Sequence, residues 1–434
     1  MTQNLSLKNL VYFFTLSALL GISSRSKAQE TGPVKVEIKK EGDIYQLIRG
    51  GQPYFVKGAG GTSYTERLAQ HGGNSIRTWD TRNGDKILND ANKLGLTVTM
   101  GLGVGLERHG FNYDDTLAVR QQLEKLRDQV RKYRDYPALL IWGIGNELNL
   151  NYKNPKVWDA VNEIAKMIHL EDPNHLVTTM LAGVNKKEID YIINKCPQLD
   201  LISVQVYGGL AGVPQQLRSA GWEGPYMVTE WGPTGHWEGL QTSWRAPIEE
   251  TSSEKAAVYR SRYEYSIKKD KAKCLGSYVF LWGQKQERTP TWYGLFTEKG
   301  EESEVVDVMQ FLWTGKWPQN KAPHIYSFQI DDKTATDNIV LKPGNTYELL
   351  ASAFDPNNDV LTYQWELLEE ATKLGDGGDR EERPGTVQNK ITNDINGKAR
   401  LTTPSKEGAY RLFVYISDGH NKIATANIPF YIRS

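Results

Sequence analysis

The chain has 434 residues, 39% of them hydrophobic, and its Lys+Arg and Asp+Glu totals balance at 52 each. That length fits two domains better than one, and the apolar share is enough for a real core. The balanced charge argues against a polyanion such as nucleic acid as partner, because phosphate binding needs a clustered basic excess.

Residues 1–28 read as an export signal. Lys8 gives a positive start, Leu10 to Ile22 is an apolar stretch too short for a spanning helix, and Ser26-Lys27-Ala28 offers small residues for cleavage. The mature chain is expected to begin near Gln29, in the periplasm or outside the cell, with no membrane span and no lipid anchor at that junction. Residues 29–316 then open on a hairpin that turns at Glu41-Gly-Asp and continue as alternating short β-runs and helical patterns. The strands fall at Tyr54–Gly58, Ser75–Trp79, Thr97–Leu102, Leu139–Gly143, Leu176–Leu181, Leu201–Val206, Tyr226–Thr229 and Gly276–Trp282. Helices are clearest at Leu117–Tyr133, Lys156–His169, Glu254–Lys268 and Glu304–Leu312. This is the pattern and size of a (β/α)8 TIM barrel. The alternative, a doubly wound open sheet, lacks its dinucleotide fingerprint, since Gly58-Ala-Gly-Gly61 has the wrong glycine spacing.

Residues 317–323, Trp317-Pro-Gln-Asn-Lys-Ala-Pro323, read as a linker. Period-two strands such as Thr362–Glu366 and Tyr410–Ile416 follow, so residues 324–434 are expected to form an all-β sandwich of immunoglobulin or PKD type that supplies no catalytic residue. Asp355-Pro-Asn-Asn-Asp359 offers oxygens to calcium but lacks most of a twelve-residue calcium loop, and reads first as a solvated turn. The acidic, glycine-rich stretch from Leu374 to Arg383 reads as a mobile loop. Cys196 and Cys274 are too few for a disulfide framework and are expected as free thiols.

Two segments carry the chemistry. Leu139-Leu-Ile-Trp-Gly-Ile-Gly-Asn-Glu147 and Tyr226-Met-Val-Thr-Glu-Trp-Gly232 are each an apolar run leading into a glutamate, hence buried strands delivering carboxylates to their carboxyl ends. In a barrel those ends share one mouth. Paired carboxylates there suit a glycosidic bond attacked between them. Arg77 on strand two is placed to keep a carboxylate ionised and Tyr207 after strand six to donate its hydroxyl. Asn146 offers an amide to a sugar hydroxyl, and Trp282, with Trp79, Trp231 and Trp292, offers rings for stacking. His109 and His236 fall in loops on the same rim. Taken singly, each residue has a plainer reading as packing, ion pairing or solvated loop, and the combination carries the argument.

This constellation, over roughly Gly51 to Gly315, resembles the retaining glycoside hydrolases of clan A, and most of all the barrel of family 2 and related β-glycosidases. Gly145-Asn146-Glu147 is similar to the clan's strand-four motif and Thr229-Glu230-Trp231-Gly232 to its strand-seven motif. Ile76-Arg77-Thr78-Trp79, Gln205-Val-Tyr207 and Phe280-Leu-Trp282-Gly look like its strand-two, strand-six and strand-eight motifs. The segments 106–113 and 284–293 resemble bacterial exported proteins with a similar barrel and sandwich. The resemblance implies Glu230 as nucleophile, Glu147 as acid/base, no cofactor, and an oligosaccharide or polysaccharide substrate, with a lean towards β-glucan. Its implied reaction is hydrolysis by double displacement.

Three other readings use the same residues. A metal-dependent barrel enzyme would gather Asp80, Glu107, Glu147 and Glu230 on one ion. A catalytically silent glycan-binding protein would keep the tryptophans but has no use for both glutamates with Arg77 and Tyr207. A transglycosylase shares every residue, with Trp292 and Tyr293 favouring a sugar acceptor over water. The sequence leaves the oligomeric state open.

Overall fold

The computed structural model describes residues 31–434 apart from residue 394. The expected export segment, residues 1–28, lies outside the described residues. Three short antiparallel strands open the fold: β1 (Val36–Glu41), β2 (Ile44–Arg49) and β3 (Gln52–Pro53). Eight parallel strands then close into a barrel: β4 (Val56–Gly60), β5 (Ser75–Arg77), β6 (Thr97–Leu102), β7 (Leu139–Ile144), β8 (Leu176–Ala182), β9 (Ile202–Gln205), β10 (Tyr226–Trp231) and β11 (Cys274–Val279). The barrel closes through the parallel pairing of β11 with β4. Around it run α1 (Thr65–Gln70), α2 (Gly84–Lys93), α3 (Thr116–Tyr133), α4 (Lys156–Glu171), α5 (Lys186–Lys195), α6 (Val213–Ser219), α7 (Ser252–Arg262) and α8 (Glu304–Thr314).

Every residue of β6, β7, β10 and β11 is buried, as parallel strands covered on both faces require. Helix starts follow local chemistry. The Asp115 carboxylate caps α3 by accepting from the N–H groups of Leu117 and Ala118, and Thr251 and Glu254 form a capping box at α7. Inside the barrel, the Tyr278 hydroxyl lies 2.8 Å from Ser75 Oγ and 2.5 Å from Thr99 Oγ1. Its ring passes over Gly58, where a Cβ would stand 2.3 Å from Tyr278 Cδ1, so only glycine fits there.

Most strand ends differ from the sequence expectation by a residue or more, two of them for a visible local reason. The first barrel strand starts at Val56 because the Tyr54 N–H is taken by the Leu47 carbonyl of the opening hairpin. The last stops at Val279, after which the Leu281 N–H turns to Tyr293 O in its own loop, which leaves Trp282 beyond the strand.

The rest of the chain folds as two antiparallel sheets packed face to face. One contains β16 (Thr362–Glu369), β19 (Gly408–Ser417) and β20 (Lys422–Ile432), with β12 (Glu302–Ser303) and β14 (Val340–Leu341) added in parallel to β20. The other runs β13 (His324–Ile330), β15 (Thr346–Phe354), β18 (Lys398–Thr402), β17 (Ile391–Asn393). Leu349, Leu401, Leu412, Val414, Ile428 and Phe430 are in its core. Because β12 belongs to the segment leading into α8, the sandwich is stitched to the barrel by backbone pairing. Lys422 reinforces the seam, reaching Glu302 at 2.7 Å and Asp307 at 2.5 Å, all buried. Both cysteines are free and buried, and burial pushes each thiol up to about 12. Among the described residues no helix is long and apolar enough to cross a membrane.

Candidate active site

Glu147 sits just past β7, held by both neighbouring strands. The N–H of Gly145 donates to Leu102 O of β6 and that of Glu147 to Met180 O of β8, each at 3.0 Å. Between them the backbone takes positive φ at Gly145 (69°) and at Glu147 (51°). Glycine adopts that conformation freely and glutamate does not, so Glu147 carries local strain of the kind concentrated at functional sites. Glu230 lies within β10, where the pairing with β9 slips by one residue after Val228 and sets Glu230 opposite Gln205. Such a bulge re-aims the side chains that follow it. Glu230 turns to the mouth and Trp231 turns outward, onto Tyr259 and Tyr263.

The two glutamates meet opposite surroundings. Glu230 accepts from Arg77 Nη1 at 3.0 Å on one oxygen and from the Tyr207 hydroxyl at 2.8 Å on the other. Arg77 is itself held by the Thr229 carbonyl at 2.9 Å and the Asn146 amide oxygen at 2.5 Å. Burial pulls the Arg77 guanidinium below its ordinary value, opposed by the neighbouring Glu230 carboxylate, while burial and then the Glu230 charge push the Tyr207 hydroxyl well up. Tyr207 therefore stays a proton donor to Glu230. Glu147 is raised to about 8, first by burial and then by the negative charge of Glu230, with Arg108 and Arg77 working in the other direction. Gln205 links the pair. With its amide turned, it donates to Glu147 Oε1 at 2.7 Å and accepts from Arg77 Nη2 at 2.7 Å, and its oxygen then meets the Asn146 amide at 2.7 Å.

A cleft of about 500 Å³ opens over this network, lined by Gly61, Thr78, Trp79, Asp80, Asn146, Glu230, Phe280, Leu281 and Lys285 of the barrel. Trp79 and Phe280 meet edge to face in its wall at 5.8 Å. Gly377 and Gly378 of the sandwich line it as well. The 374–383 stretch, read from sequence as a mobile loop, is anchored on the rim. Glu381 pairs with Arg288 at 2.6 Å, Lys285 donates to Gly378 O at 2.6 Å, and His109 lies 3.3 Å from Asp379. The sandwich thus supplies part of the cleft wall.

Several expected substrate contacts are corrected. Trp282 is 1% exposed, donates its indole N–H to Tyr64 O and packs on Phe296 and Trp313, so it is core rather than platform. Trp231 is fully buried behind the strand. Trp292 is also buried, its N–H given to Thr234 O, and Tyr293 beside it is 1% exposed, which removes both as acceptor platforms. His109 faces the sandwich loop. The ring lining the cleft after the last barrel strand is Phe280. Arg77, Asn146, Tyr207 and Trp79 stand with the two glutamates at the mouth, either in the network or in the cleft wall.

Sequence reasoning passed over two residues of this region. Gln205 precedes Tyr207 by two in a β-run, so alternation places both on one face, a signal that was present. Trp237 is 57% exposed and stands edge-on to Tyr207 at 5.5 Å and to His236 at 4.8 Å. Its loop position gave no periodicity to read. The four-carboxylate metal reading is not supported by the geometry. Asp80 is paired with Arg82 and Glu107 accepts from the N–H groups of Lys153 and Asn154, and among the described residues these four carboxylates form no metal-sized group.

No model of a known protein family matches the chain. A probable mannan endo-1,4-β-mannosidase C of Aspergillus terreus is 29% identical over 159 residues, covering 30% of this chain and 39% of that protein. Among solved structures, a Bacteroides uniformis β-glucuronidase 2 covalently bound to cyclophellitol-6-carboxylate aziridine superposes with a TM-score of 0.51 at 15% identity, over 92% of this chain and 48% of that one. The family 2 β-galacturonidase from Eisenbergiella tayi bound to galacturonate gives 0.51 at 16% identity, over 66% and 55%. The fold is shared. At these identities the likeness extends to the fold alone, and the chain spans about half the length of these structures.

Proposed function

We propose that this chain is a retaining β-glycosidase that hydrolyses a β-linked oligosaccharide or polysaccharide by double displacement, exported as residues 1–28 suggest. The observation that carries the reading is the electrostatic split between two carboxyls at one barrel mouth. Glu230 is gripped by a cation and a hydroxyl donor, whereas Glu147 holds its proton up to about 8. That split is what a nucleophile and a general acid need. Glu230 attacks the anomeric carbon while Glu147 protonates the leaving oxygen. Glycosylation then cancels the Glu230 charge, which removes one of the causes that raise Glu147, and the ionised Glu147 deprotonates the incoming water. Incubation with 2-fluoro aryl β-glycosides tests this directly. A stable glycosyl adduct on the Glu230 peptide, found by mass spectrometry, is expected, and labelling elsewhere or turnover without an adduct overturns it.

β-Glucan is the substrate carried by the sequence resemblance. A β-1,4-mannan is the second reading, favoured by the mannosidase relative. Digestion of β-glucan, β-mannan and β-uronoside oligomers, with products resolved by size, separates the two and shows whether sugar acceptors compete with water.

Two further outcomes follow. For a substrate whose leaving group needs protonation, kcat/KM should fall as pH rises through about 8, where Glu147 loses its proton. An aryl substrate with a good leaving group should lack that limb. Stability moves in the same sense. The folded chain holds this proton more tightly than the unfolded chain, so the contribution is full below the ordinary carboxylate range and is lost as pH rises through about 8. A limb present for both substrates would detach it from Glu147. Second, the exposed Trp237 indole beside Tyr207 is placed to stack on a sugar ring. Trp237→Ala should raise KM for oligomers roughly five- to tenfold, equivalent to about 1 kcal/mol of stacking, without changing the unfolding temperature. Unchanged KM across oligomer lengths would place the substrate elsewhere.

A further inference from the structure

The segment Asp355-Pro-Asn-Asn-Asp359, which by itself reads as a solvated turn, is joined in the fold by a carboxylate from far along the chain. Asp418, in the hairpin between β19 and β20, brings an oxygen to within 4.8 Å of oxygens of both Asp355 and Asp359. Asp355 is 7% and Asp418 3% exposed, so two of the three charges are withdrawn from solvent. Among the described residues no lysine or arginine pairs with any of them, and the His420 ring lies 3.7 Å from Asp359. Asp355 Oδ1 is fixed by the N–H groups of Asn357 at 2.7 Å and Asp359 at 3.0 Å. Its other oxygen, Oδ2, is buried with no hydrogen-bond partner.

Each fact is unfavourable in isolation. A buried carboxylate oxygen without a donor bears its full desolvation cost, and like charges at this separation repel. A cation at the centre relieves both. We propose that Asp355, Asp359 and Asp418 bind a calcium ion. The donors are all carboxylate oxygens, which selects hard cations over zinc or copper. Their arrangement across two separate turns suits the variable coordination of calcium better than the strict octahedron of magnesium.

The position gives the ion a structural role. Asn320 of the linker donates to Asp418 Oδ2 at 2.7 Å, and Asn357 accepts from the Lys321 N–H and donates to Gln319 O, each at 2.9 Å. Joining the two turns therefore fastens the linker between barrel and sandwich. Lys422, whose N–H donates to Asp418 Oδ1 at 3.1 Å, carries the same hairpin to the seam.

The test needs no enzymatic activity. The full chain, stripped with chelator and dialysed, is titrated calorimetrically with calcium chloride and, in parallel, magnesium chloride, and its unfolding temperature is followed. One calcium ion per chain is expected, with magnesium bound at least tenfold more weakly and the unfolding temperature rising with calcium concentration. Asp355→Asn should weaken calcium at least tenfold while keeping the Oδ1 acceptor. Asp359→Asn, at the more exposed edge, gives the same readout if the first variant folds poorly. Absence of calcium binding by the intact chain, equal or tighter magnesium binding, or unchanged calcium affinity in the variants would overturn the proposal.

Discussion

Replacing Glu230 with alanine is expected to lower turnover by at least about 10⁴-fold, because the covalent intermediate has no other acceptor. The fold should survive, since Arg77 still donates to Thr229 O and Asn146 Oδ1 and the Tyr207 ring keeps its packing on Phe280 and Tyr293. Azide entering the vacated space should give a glycosyl azide of inverted configuration. Glu147→Ala should behave differently. Its nucleophile remains, so an activated substrate glycosylates Glu230 and stalls, and azide then releases the retained β-azide. The anomer formed by each variant is the deciding measurement. The opposite pairing would mean that the two roles are exchanged, and near-normal turnover in both would place the chemistry elsewhere.

The glutamates were legible because parallel strands buried on both faces read as apolar runs, and a charged residue ending such a run stands out. Arg77 and Tyr207 were legible by the same logic at neighbouring strand ends. Trp231, Trp282 and Trp292 were not. Whether a ring after a strand faces the mouth or the helices depends on local register, and the slip in β10 and the early end of β11 sent Trp231 and Trp282 into the core. Sequence marks an aromatic residue near a mouth without giving its direction. Contacts between distant segments were equally hidden. Nothing near Glu381 announces Arg288, and nothing in the 355–359 turn announces Asp418, because each partner lies far along the chain. Composition made the 374–383 stretch look solvated, yet its carboxylate was matched to an arginine of the other module.

A sandwich that supplies no catalytic residue would leave turnover of small substrates intact when the chain is cut at Lys321, and those distant contacts argue for the opposite outcome. Removing the sandwich takes Lys422 from Glu302 and Asp307, whose side chains are 7% and 1% exposed, and Asn427 from Glu249. The cut opens this buried seam to water and leaves Asp307 without its lysine, whereas Glu302 keeps His71 and Arg67 and Glu249 keeps Lys255, so packing and pairing are lost together. The same cut removes the Gly377–Gly378 wall and the Glu381 anchor of Arg288. The truncated barrel should unfold at a markedly lower temperature and turn over even aryl glycosides at least tenfold more slowly. Two full-length variants separate the causes. Lys422→Met strips the seam charge and should lower the unfolding temperature by roughly 5 °C or more with KM unchanged. Deleting residues 376–379 leaves the seam intact and should instead change KM, because the cleft loses a wall while the barrel keeps its buried pairs. If the truncated chain matched the full chain in both unfolding temperature and turnover, the loop would be a bystander at the rim and the barrel alone would hold the complete site.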